Sequence, residues 1–148
     1  MQTTFNKSLP IAIGSDHAGF HYKEQIKTWL TGQGWQVDDK GTHSTDSTDY
    51  PDYAHPVAVM VEEGQAAAGI LICGSGNGVC MTANKHKGIR AALCWNEELA
   101  ALARQHNNAN VLCMPERFVS YEVAQKMTEL FLSVPFEGGR HERRVEKI

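Results

Sequence analysis

The chain has 148 residues, a length that suits one domain with a core large enough to fold without disulfides or a structural metal. Hydrophobic residues make up 42% of it and charged residues 21%, which excludes a disordered chain. The net charge of −3 argues against a nucleic-acid surface, which needs a basic excess. The sequence has no run of 18 or more apolar residues, the length that a membrane span requires.

The chain contains four cysteines, Cys73, Cys80, Cys94 and Cys113. They form no Cys-x-x-Cys pair and no Cys/His cluster with the spacing of a zinc site, so we expect neither a disulfide framework nor a bound metal. The N-terminal residues lack the basic stretch and apolar run of a signal peptide. We therefore expect a cytoplasmic protein with one domain over residues 1–148, of which residues 1–9 form a flexible N-terminal extension.

The first half of the chain predicts two strands with a helix between them. Residues 10–14 and 35–37 are short apolar runs, which are typical of buried strands. Between the two runs, four apolar residues recur at helical spacing: Tyr22, Ile26, Trp29 and Leu30. Residues 41–53 are polar and predict a long surface loop, a kind of segment that often carries function.

The second half predicts three further strands, at residues 69–73, 90–94 and 110–114. One helix is expected to begin after Asn96 and another after Ser120, because both side chains can cap free N–H groups of a first helical turn. Alternating strands and helices of this kind favour right-handed βαβ units. The predicted fold is a single doubly wound, Rossmann-like α/β domain with a parallel five-stranded sheet and helices on both faces.

Ligands of open parallel sheets bind at the carboxyl ends of the strands, so the residues after each strand are the first candidates for a site. Asp16 and His17 follow the first strand, and Cys73 ends the third. The third strand leads into a glycine-rich loop made of Gly74, Ser75, Gly76, Asn77 and Gly78. Such a loop aims backbone N–H groups at a ligand and predicts an anion site, although a tight strand-to-helix turn would use the same glycines.

Cys73 allows two interpretations. A cysteine at the end of an apolar strand is often only a small buried side chain. Its position beside the N–H groups of the glycine-rich loop is also one where a thiolate is stabilised, which makes Cys73 a candidate reactive thiol. A phosphatase loop of the Cys-x5-Arg type is excluded because Val79 stands at the sixth position.

Two histidines and two arginines complete the candidates. His17 and His106 fall on loops that we expect at the ligand side of the sheet, although a surface role is the simpler interpretation for either. Near the C-terminus, Arg140 and Arg144 stand four residues apart, hence on one face of a helix, where they can hold a phosphate. The same spacing also suits a solvated run of charge.

Six motifs, in this order along the chain, resemble the ribose-5-phosphate isomerase B family. They are GSDHAGF at 14–20, TDYPDYA at 48–54, ILICGSGNG at 70–78, ANKHKGIRA at 83–91, RQHNNANVL at 104–112 and FEGGRHERRV at 136–145. The resemblance covers residues 11–145 with little sign of insertion. The family also includes isomerases of hexose 6-phosphates.

The resemblance implies an aldose–ketose isomerase that interconverts D-ribose 5-phosphate and D-ribulose 5-phosphate through an enediolate. Family members use as base either a cysteine at the position of Cys73 or a glutamate just after the last loop glycine, where this chain has Val79. Cys73 is therefore the implied base, with loop N–H groups and the Ser75 hydroxyl holding the enediolate oxygens. The ring-opening histidine of the family corresponds to His106, which lies beside Asn107.

The remaining family positions bind substrate. Asp16 and Tyr50 correspond to positions that line the sugar. We expect Asp16 and Ser75 to be catalytic residues as well. Phosphate contacts are implied for His17, Arg140 and Arg144, with Arg117 as a further candidate.

The resemblance also implies a homodimer whose sites are built from both subunits, and association of dimers into tetramers stays open. The implied proton transfer needs no metal or organic cofactor, and the expected partner is a phosphorylated sugar rather than nucleic acid or a membrane. Two other functions remain open. One is a hexose-6-phosphate isomerase acting on allose or galactose 6-phosphate; the other is a non-catalytic sugar-phosphate sensor, which Cys73 and His106 disfavour.

Overall fold

The computed structural model describes residues 3–148. Its centre is a five-stranded sheet in the order β2-β1-β3-β5-β4, in which every neighbouring pair is parallel. The strands are β1 (Ile11–Ser15), β2 (Val37–Asp39), β3 (Ala68–Cys73), β4 (Ala91–Leu93) and β5 (Val111–Pro115). The chain thus forms the doubly wound α/β fold that the sequence predicts.

Helices alternate with these strands along the chain. They are α1 (Phe20–Gly32), α2 (Pro51–Glu62), α3 (Asn77–Ala83), α4 (Glu97–Gln105), α5 (Tyr121–Ser133) and α6 (Arg140–Val145), and a 3₁₀ turn at His17–Gly19 precedes α1. The two predicted caps are present: the Asn96 side chain accepts from the Leu99 N–H at 2.9 Å, and Ser120 accepts from the Val123 N–H at 3.2 Å. Each cap satisfies an N–H group that the first helical turn leaves free.

The core has two halves, one on each face of the sheet. On one face, Ile13 and Ile70 pack with residues of α1, α4 and α5. On the other, Ala12 and Leu71 pack with residues of α2 and α3. Because successive strand residues point to opposite faces, strands buried on both faces must be apolar throughout, and this explains the continuous apolar runs in the sequence.

Three details differ from the sequence-based expectation. β2 begins two residues later than predicted, at Val37, although Trp35 is buried as expected. The expected surface loop at 41–53 is shorter, because its last three residues form the first turn of α2, which the sequence analysis did not predict. Gly41 and Thr42 are buried at its start, where the Gly41 carbonyl accepts from the Ser15 N–H and the Thr42 N–H donates to the Ser15 carbonyl at the end of β1.

A buried ion pair joins α1 to β2. Lys23 is fully buried, and its Nζ lies 2.7 Å from Oδ2 of Asp39 and 2.8 Å from Oε1 of Glu24. Lys27 donates to the same Asp39 oxygen at 2.9 Å. Burial raises the pKa of Asp39, but hydrogen bonds from Lys23, Lys27 and the Gly41 N–H outweigh it, so the pKa is lowered overall.

The residues before β1 contact α5. The Thr3 hydroxyl donates to the Leu132 carbonyl at 2.7 Å, and the Phe5 ring stacks on Phe131 with centroids 5.9 Å apart. Met1 and Gln2 lie outside the described residues, and both the single-domain organisation and the flexibility expected of residues 1–9 stay predictions. Over residues 3–148, none of the helices is long and apolar enough to cross a membrane.

Candidate active site

A cleft of about 610 Å³ opens at the carboxyl ends of the central strands. Nine of the residues predicted for the site line it: Asp16, His17, Tyr50, Cys73, Gly74, Ser75, Asn77, Gly78 and Arg117. They come from the ends of β1 and β3, the turn after β5, the first turn of α3 and the residue before α2. The strand order places β3 between β1 and β5, so the end of β3 lies at the centre of the cleft.

Cys73 is the last residue of β3 and is 5% exposed. The backbone N–H of Gly76 donates to its Sγ at 3.1 Å, which holds the sulfur beside the glycine-rich loop. The Cys73 carbonyl accepts from the Glu116 N–H at 2.9 Å, which ties the end of β3 to the turn after β5. The Gly76 N–H thus holds the sulfur itself, and the Glu116 N–H holds the backbone of the residue that carries it.

The three loop glycines each make room for a specific neighbour. Gly76 has a positive φ of 75°, and a Cβ there would lie 2.4 Å from Leu93 Cδ1. A Cβ on Gly74 would lie 3.0 Å from the Arg117 guanidinium, and one on Gly78 would lie 2.5 Å from the Tyr50 ring. The glycines therefore let Arg117 and Tyr50 lie directly against the loop, where they form two walls of the cleft.

Asp16 and His17 are oriented by backbone groups. One Asp16 carboxylate oxygen, Oδ1, accepts from the N–H groups of Ala18 and Gly19 and caps the 3₁₀ turn. His17 Nδ1 accepts from the Thr48 N–H at 3.2 Å. A neutral His17 ring therefore carries its proton on Nε2, which makes that nitrogen a hydrogen-bond donor.

Besides Gly76, which is buried within the glycine-rich loop, four predicted site residues do not line this cleft. They are His106, Asn107, Arg140 and Arg144. The prediction that the His106 loop lies at the ligand side of the sheet is wrong for the cleft of the same chain. A helix that follows a parallel strand runs back toward the amino ends of the strands. The end of α4 therefore lies near the start of β5, whereas Cys73 lies at the carboxyl ends of the strands.

His106 and the C-terminal helix form a second group of side chains. The rings of His106 and His141 stack with centroids 4.1 Å apart and planes 11° apart, and Glu137 Oε1 lies 3.7 Å from His106 Nε2. Burial lowers the pKa of His141, and His106, Arg140 and Arg144 lower it further. Three possible metal ligands thus lie together, but two parallel rings aim their nitrogen lone pairs along parallel planes, which do not converge on one ion.

The three predicted arginines have guanidinium groups that form no ion pair within residues 3–148. Arg140 and Arg144 lie on α6 and are exposed, as the spacing predicts, and Arg117 lines the cleft. Uncompensated guanidinium groups of this kind suit a phosphate dianion.

Several residues of both groups were not predicted from the sequence. Ala18, Met81 and Phe118 also line the cleft. Met81 follows Gly78 by three residues on α3, a helical spacing that could have identified it. Glu137 and His141 lie within the motif that includes Arg140, but only the packing of α4 against this segment places them beside His106.

An apolar surface adjoins the cleft. Met81 is 67% exposed, Trp95 54% and Phe118 75%. Trp95 and Phe118 also line a second depression of about 380 Å³ with Leu93, on the edge strand β4. Large apolar side chains clustered on a surface are typical of an interface between proteins.

Comparison with known proteins gives consistent matches over nearly the whole chain. Residues 11–148 match the family model described as Ribose/Galactose Isomerase. Ribose-5-phosphate isomerase B of Escherichia coli K12 is 48% identical over 138 residues, which are 93% of each protein.

Solved structures agree with the sequence matches. A ribose 5-phosphate isomerase from Thermotoga maritima is 51% identical, with a TM-score of 0.91 over 94% of this chain and 96% of its own. Ribose-5-phosphate isomerase B from Mycoplasma genitalium, solved with bound ribulose-5-phosphate, is 49% identical, with a TM-score of 0.92 over 96% of this chain and 95% of its own.

Proposed function

This chain belongs to the ribose/galactose isomerase family, and from that membership we propose that it interconverts D-ribose 5-phosphate and D-ribulose 5-phosphate. The reaction moves a proton between C1 and C2 of the open-chain sugar through an enediolate. It requires a base that reaches both carbons, donors for the developing oxyanion, a group that opens the sugar ring and cations for the phosphate. The chain has a candidate group for each requirement.

Cys73 is the proposed base, and its place in the cleft is the observation that carries the proposal. Its sulfur lies at the central strand end, held by the Gly76 N–H at 3.1 Å, within the family motif CGSGNG. Val79 leaves no carboxylate at the alternative base position of the family. The thiolate takes the proton from one carbon and returns it to the other, so one base serves both half-reactions.

The glycine-rich loop is the proposed oxyanion site. The Gly76 N–H donates to Cys73 Sγ. The other backbone N–H groups of the glycine-rich loop and the exposed Ser75 hydroxyl stand next to Cys73 and can donate to the O1 and O2 oxygens of the enediolate. Asp16 and Tyr50 line the same cleft and bind the sugar hydroxyls. Preorganised N–H donors need no rearrangement as charge develops, which is why they stabilise the transition state more than the ground state.

The phosphate binds to cationic and N–H donors. His17 presents its Nε2–H and Arg117 its guanidinium from the walls of the cleft. Arg140 and Arg144 are exposed on α6 and lack a carboxylate partner within residues 3–148, so they are available to a phosphate bound in a neighbouring subunit's cleft. Arginine presents several N–H donors to one phosphate, which suits both positions.

We propose that the site is completed by a second copy of the chain, because His106 cannot reach the sugar bound at Cys73 of its own chain. Along the sheet, the length of β5 alone, about 13 Å, separates the two ends. A ring-opening group and a base must both lie within hydrogen-bond reach of one sugar. The exposed apolar surface of Met81, Trp95 and Phe118 beside the cleft is available to the second subunit of a homodimer.

His106 in the partner subunit is then the proposed acid and base for ring opening, with Asn107 beside it. We also propose a cytoplasmic location, which the four free thiols support because disulfides rarely persist in reducing compartments.

The substrate assignment is tested by initial rates with ribose 5-phosphate, allose 6-phosphate and galactose 6-phosphate at equal concentration. We expect the highest kcat/KM for ribose 5-phosphate, together with deuterium incorporation from D₂O at the carbon that receives the proton. A higher kcat/KM for either hexose phosphate would make the chain a hexose-phosphate isomerase. Absence of turnover with all three sugars, together with binding, would make it a sensor.

A further inference from the structure

We propose that His55 and His86 form a binding site for one divalent transition-metal ion, away from the substrate cleft. His55 lies on α2, and His86 lies in the turn that follows α3. Their nitrogens, His55 Nδ1 and His86 Nε2, are 2.8 Å apart, and the ring planes meet at 65°. Neither residue lines the cleft, and neither belongs to the residues proposed for the isomerase reaction.

The short distance determines how the two rings are protonated. Two N–H groups cannot face each other at 2.8 Å, so one nitrogen donates and the other offers a lone pair. Glu62 Oε1 lies 3.7 Å from His86 Nδ1, and its charge favours the proton on that nitrogen. His86 Nε2 is then the acceptor, already turned toward His55.

Glu62 is itself held in place. The Gly88 N–H donates to Glu62 Oε2 at 2.6 Å, which fixes the carboxylate against the same turn that carries His86. A carboxylate behind a histidine ligand, on the side away from the metal, makes the ligand more basic. Glu62 lies 3.7 Å behind His86 Nδ1, so it acts on the ring through its charge rather than through a hydrogen bond. His86 and His55 are thus two facing ligands, and the Glu62 carboxylate stands behind His86.

A metal ion would replace the shared proton. The His55 proton moves to its Nε2, so that both facing nitrogens present lone pairs and no net proton is released. Metal–nitrogen bonds of about 2.0–2.1 Å at a tetrahedral angle need nitrogens about 3.3 Å apart, an opening of roughly 0.5 Å. His55 is exposed and can turn by this amount, and water can occupy the remaining coordination positions.

The ligand type selects the class of ion. Two imidazoles suit Zn²⁺, Cu²⁺, Ni²⁺ or Co²⁺, whereas Mg²⁺ and Ca²⁺ need oxygen ligands. The ring planes of His55 and His86 cross at 65°, so their lone pairs can meet at one point, unlike those of the stacked His106 and His141. A bound ion would link α2 to the turn that leads into β4.

Titration of the purified full-length protein with NiCl₂ by isothermal calorimetry tests the proposal. The variants are His55→Gln, His86→Gln and Glu62→Gln, and His43→Gln is the matched control because His43 is an exposed histidine outside the group. We expect loss of one binding site with either of the first two and about a 10- to 100-fold weaker affinity with Glu62→Gln. The control should bind as the unaltered protein does.

Isomerase rates without metal show that each variant is folded, since none of these residues belongs to the proposed reaction. A Co²⁺ spectrum separates imidazole from cysteine coordination, because cobalt thiolates give intense charge-transfer bands in the near ultraviolet. We expect no such band from the ion that His55→Gln removes. Unchanged Ni²⁺ binding in both histidine variants, or no binding by the unaltered protein, would overturn the proposal and leave a hydrogen-bonded pair only.

Discussion

The ring of Tyr50 lies directly against Gly78, at a place where a single methyl group on the glycine would come 2.5 Å from Tyr50 Cε1. The contact joins the segment before α2 to the first turn of α3, across the cleft. Tyr50 is 40% exposed, so it can move aside without disturbing the core. A substitution at Gly78 therefore changes the shape of the cleft rather than the fold.

We predict that Gly78→Ala lowers kcat/KM for ribose 5-phosphate by roughly 10-fold or more, since misplacing a cleft wall removes substrate-positioning contacts. The melting temperature should change little. Gly32→Ala is the matched control, because a Cβ there meets nothing within 4 Å. Steady-state kinetics and thermal unfolding of both variants check this, and a wild-type kcat/KM for Gly78→Ala would remove Tyr50 from the site.

Mixing two variants that are each impaired with ribose 5-phosphate tests whether the site is shared between subunits. If Cys73 acts with His106 of the partner subunit, a dimer of one Cys73→Ala chain and one His106→Asn chain contains one intact site. Random reassortment should then restore about a quarter of the activity, because half of the dimers are mixed and each has one working site of two. The control is each variant refolded alone. If mixing restores nothing above the two parents, both residues act within one chain or His106 is not in the site.

The direction of the reaction separates His106 from Cys73. Ribose 5-phosphate is mainly a closed furanose, whereas ribulose 5-phosphate cannot close a five-membered ring because its O5 carries the phosphate. His106→Asn should therefore slow the initial rate from the aldose much more than that from the ketose. The open-chain aldose formed in the reverse direction cyclises in solution, so the equilibrium constant is unchanged. Equal losses in both directions would place His106 in proton transfer or substrate binding.

The buried pair of Lys23 and Asp39 predicts an acid-sensitive contribution to stability. Because the pKa of Asp39 is lowered from its usual 3.8, its contribution is present above that value and is lost as the pH falls through the lower pKa of the folded protein. Asp39→Asn leaves Lys23 buried with only the half-exposed Glu24 and should cost about 3–5 kcal/mol at neutral pH.

Urea unfolding at neutral pH and well below pH 3.8, the ordinary pKa of the group, measures both effects. The difference between Asp39→Asn and the unaltered protein should shrink in acid, since Asp39 becomes protonated in the latter. Asp38→Asn is the control, because Asp38 makes only an exposed pair with Lys40. A difference that does not change with pH would show that the carboxylate charge is not what stabilises the pair.

Much of the fold could be predicted because local and global signals agree. The apolar strands and the caps at Asn96 and Ser120 are local features that the fold uses directly. Helix α2 was missed because its first turns are polar and include Pro51 and Pro56, which read as loop residues. Pro51 at the first helical position is in fact compatible with a helix start.

The candidate site was predictable where its residues follow strands in sequence. Asp16, His17 and Cys73 line one cleft because the carboxyl ends of parallel strands lie side by side. The prediction for His106 was wrong because the order of motifs along a chain does not show whether a loop lies at the amino or the carboxyl ends of the strands. Its stacking on His141 and the nearby Glu137 depend on tertiary packing, which no local pattern encodes.

The most direct test of the account is the turnover of Cys73→Ala in D₂O with ribulose 5-phosphate, compared with Cys80→Ala as a thiol control that does not line the cleft. With the base removed, we predict that kcat falls by at least about 10²- to 10⁴-fold from ribulose 5-phosphate, and by the same factor from ribose 5-phosphate. Deuterium exchange into the sugar should fall equally, while substrate still binds. Cys80→Ala should retain both activities. Near-normal turnover or exchange by Cys73→Ala would contradict the assignment of Cys73 as the base.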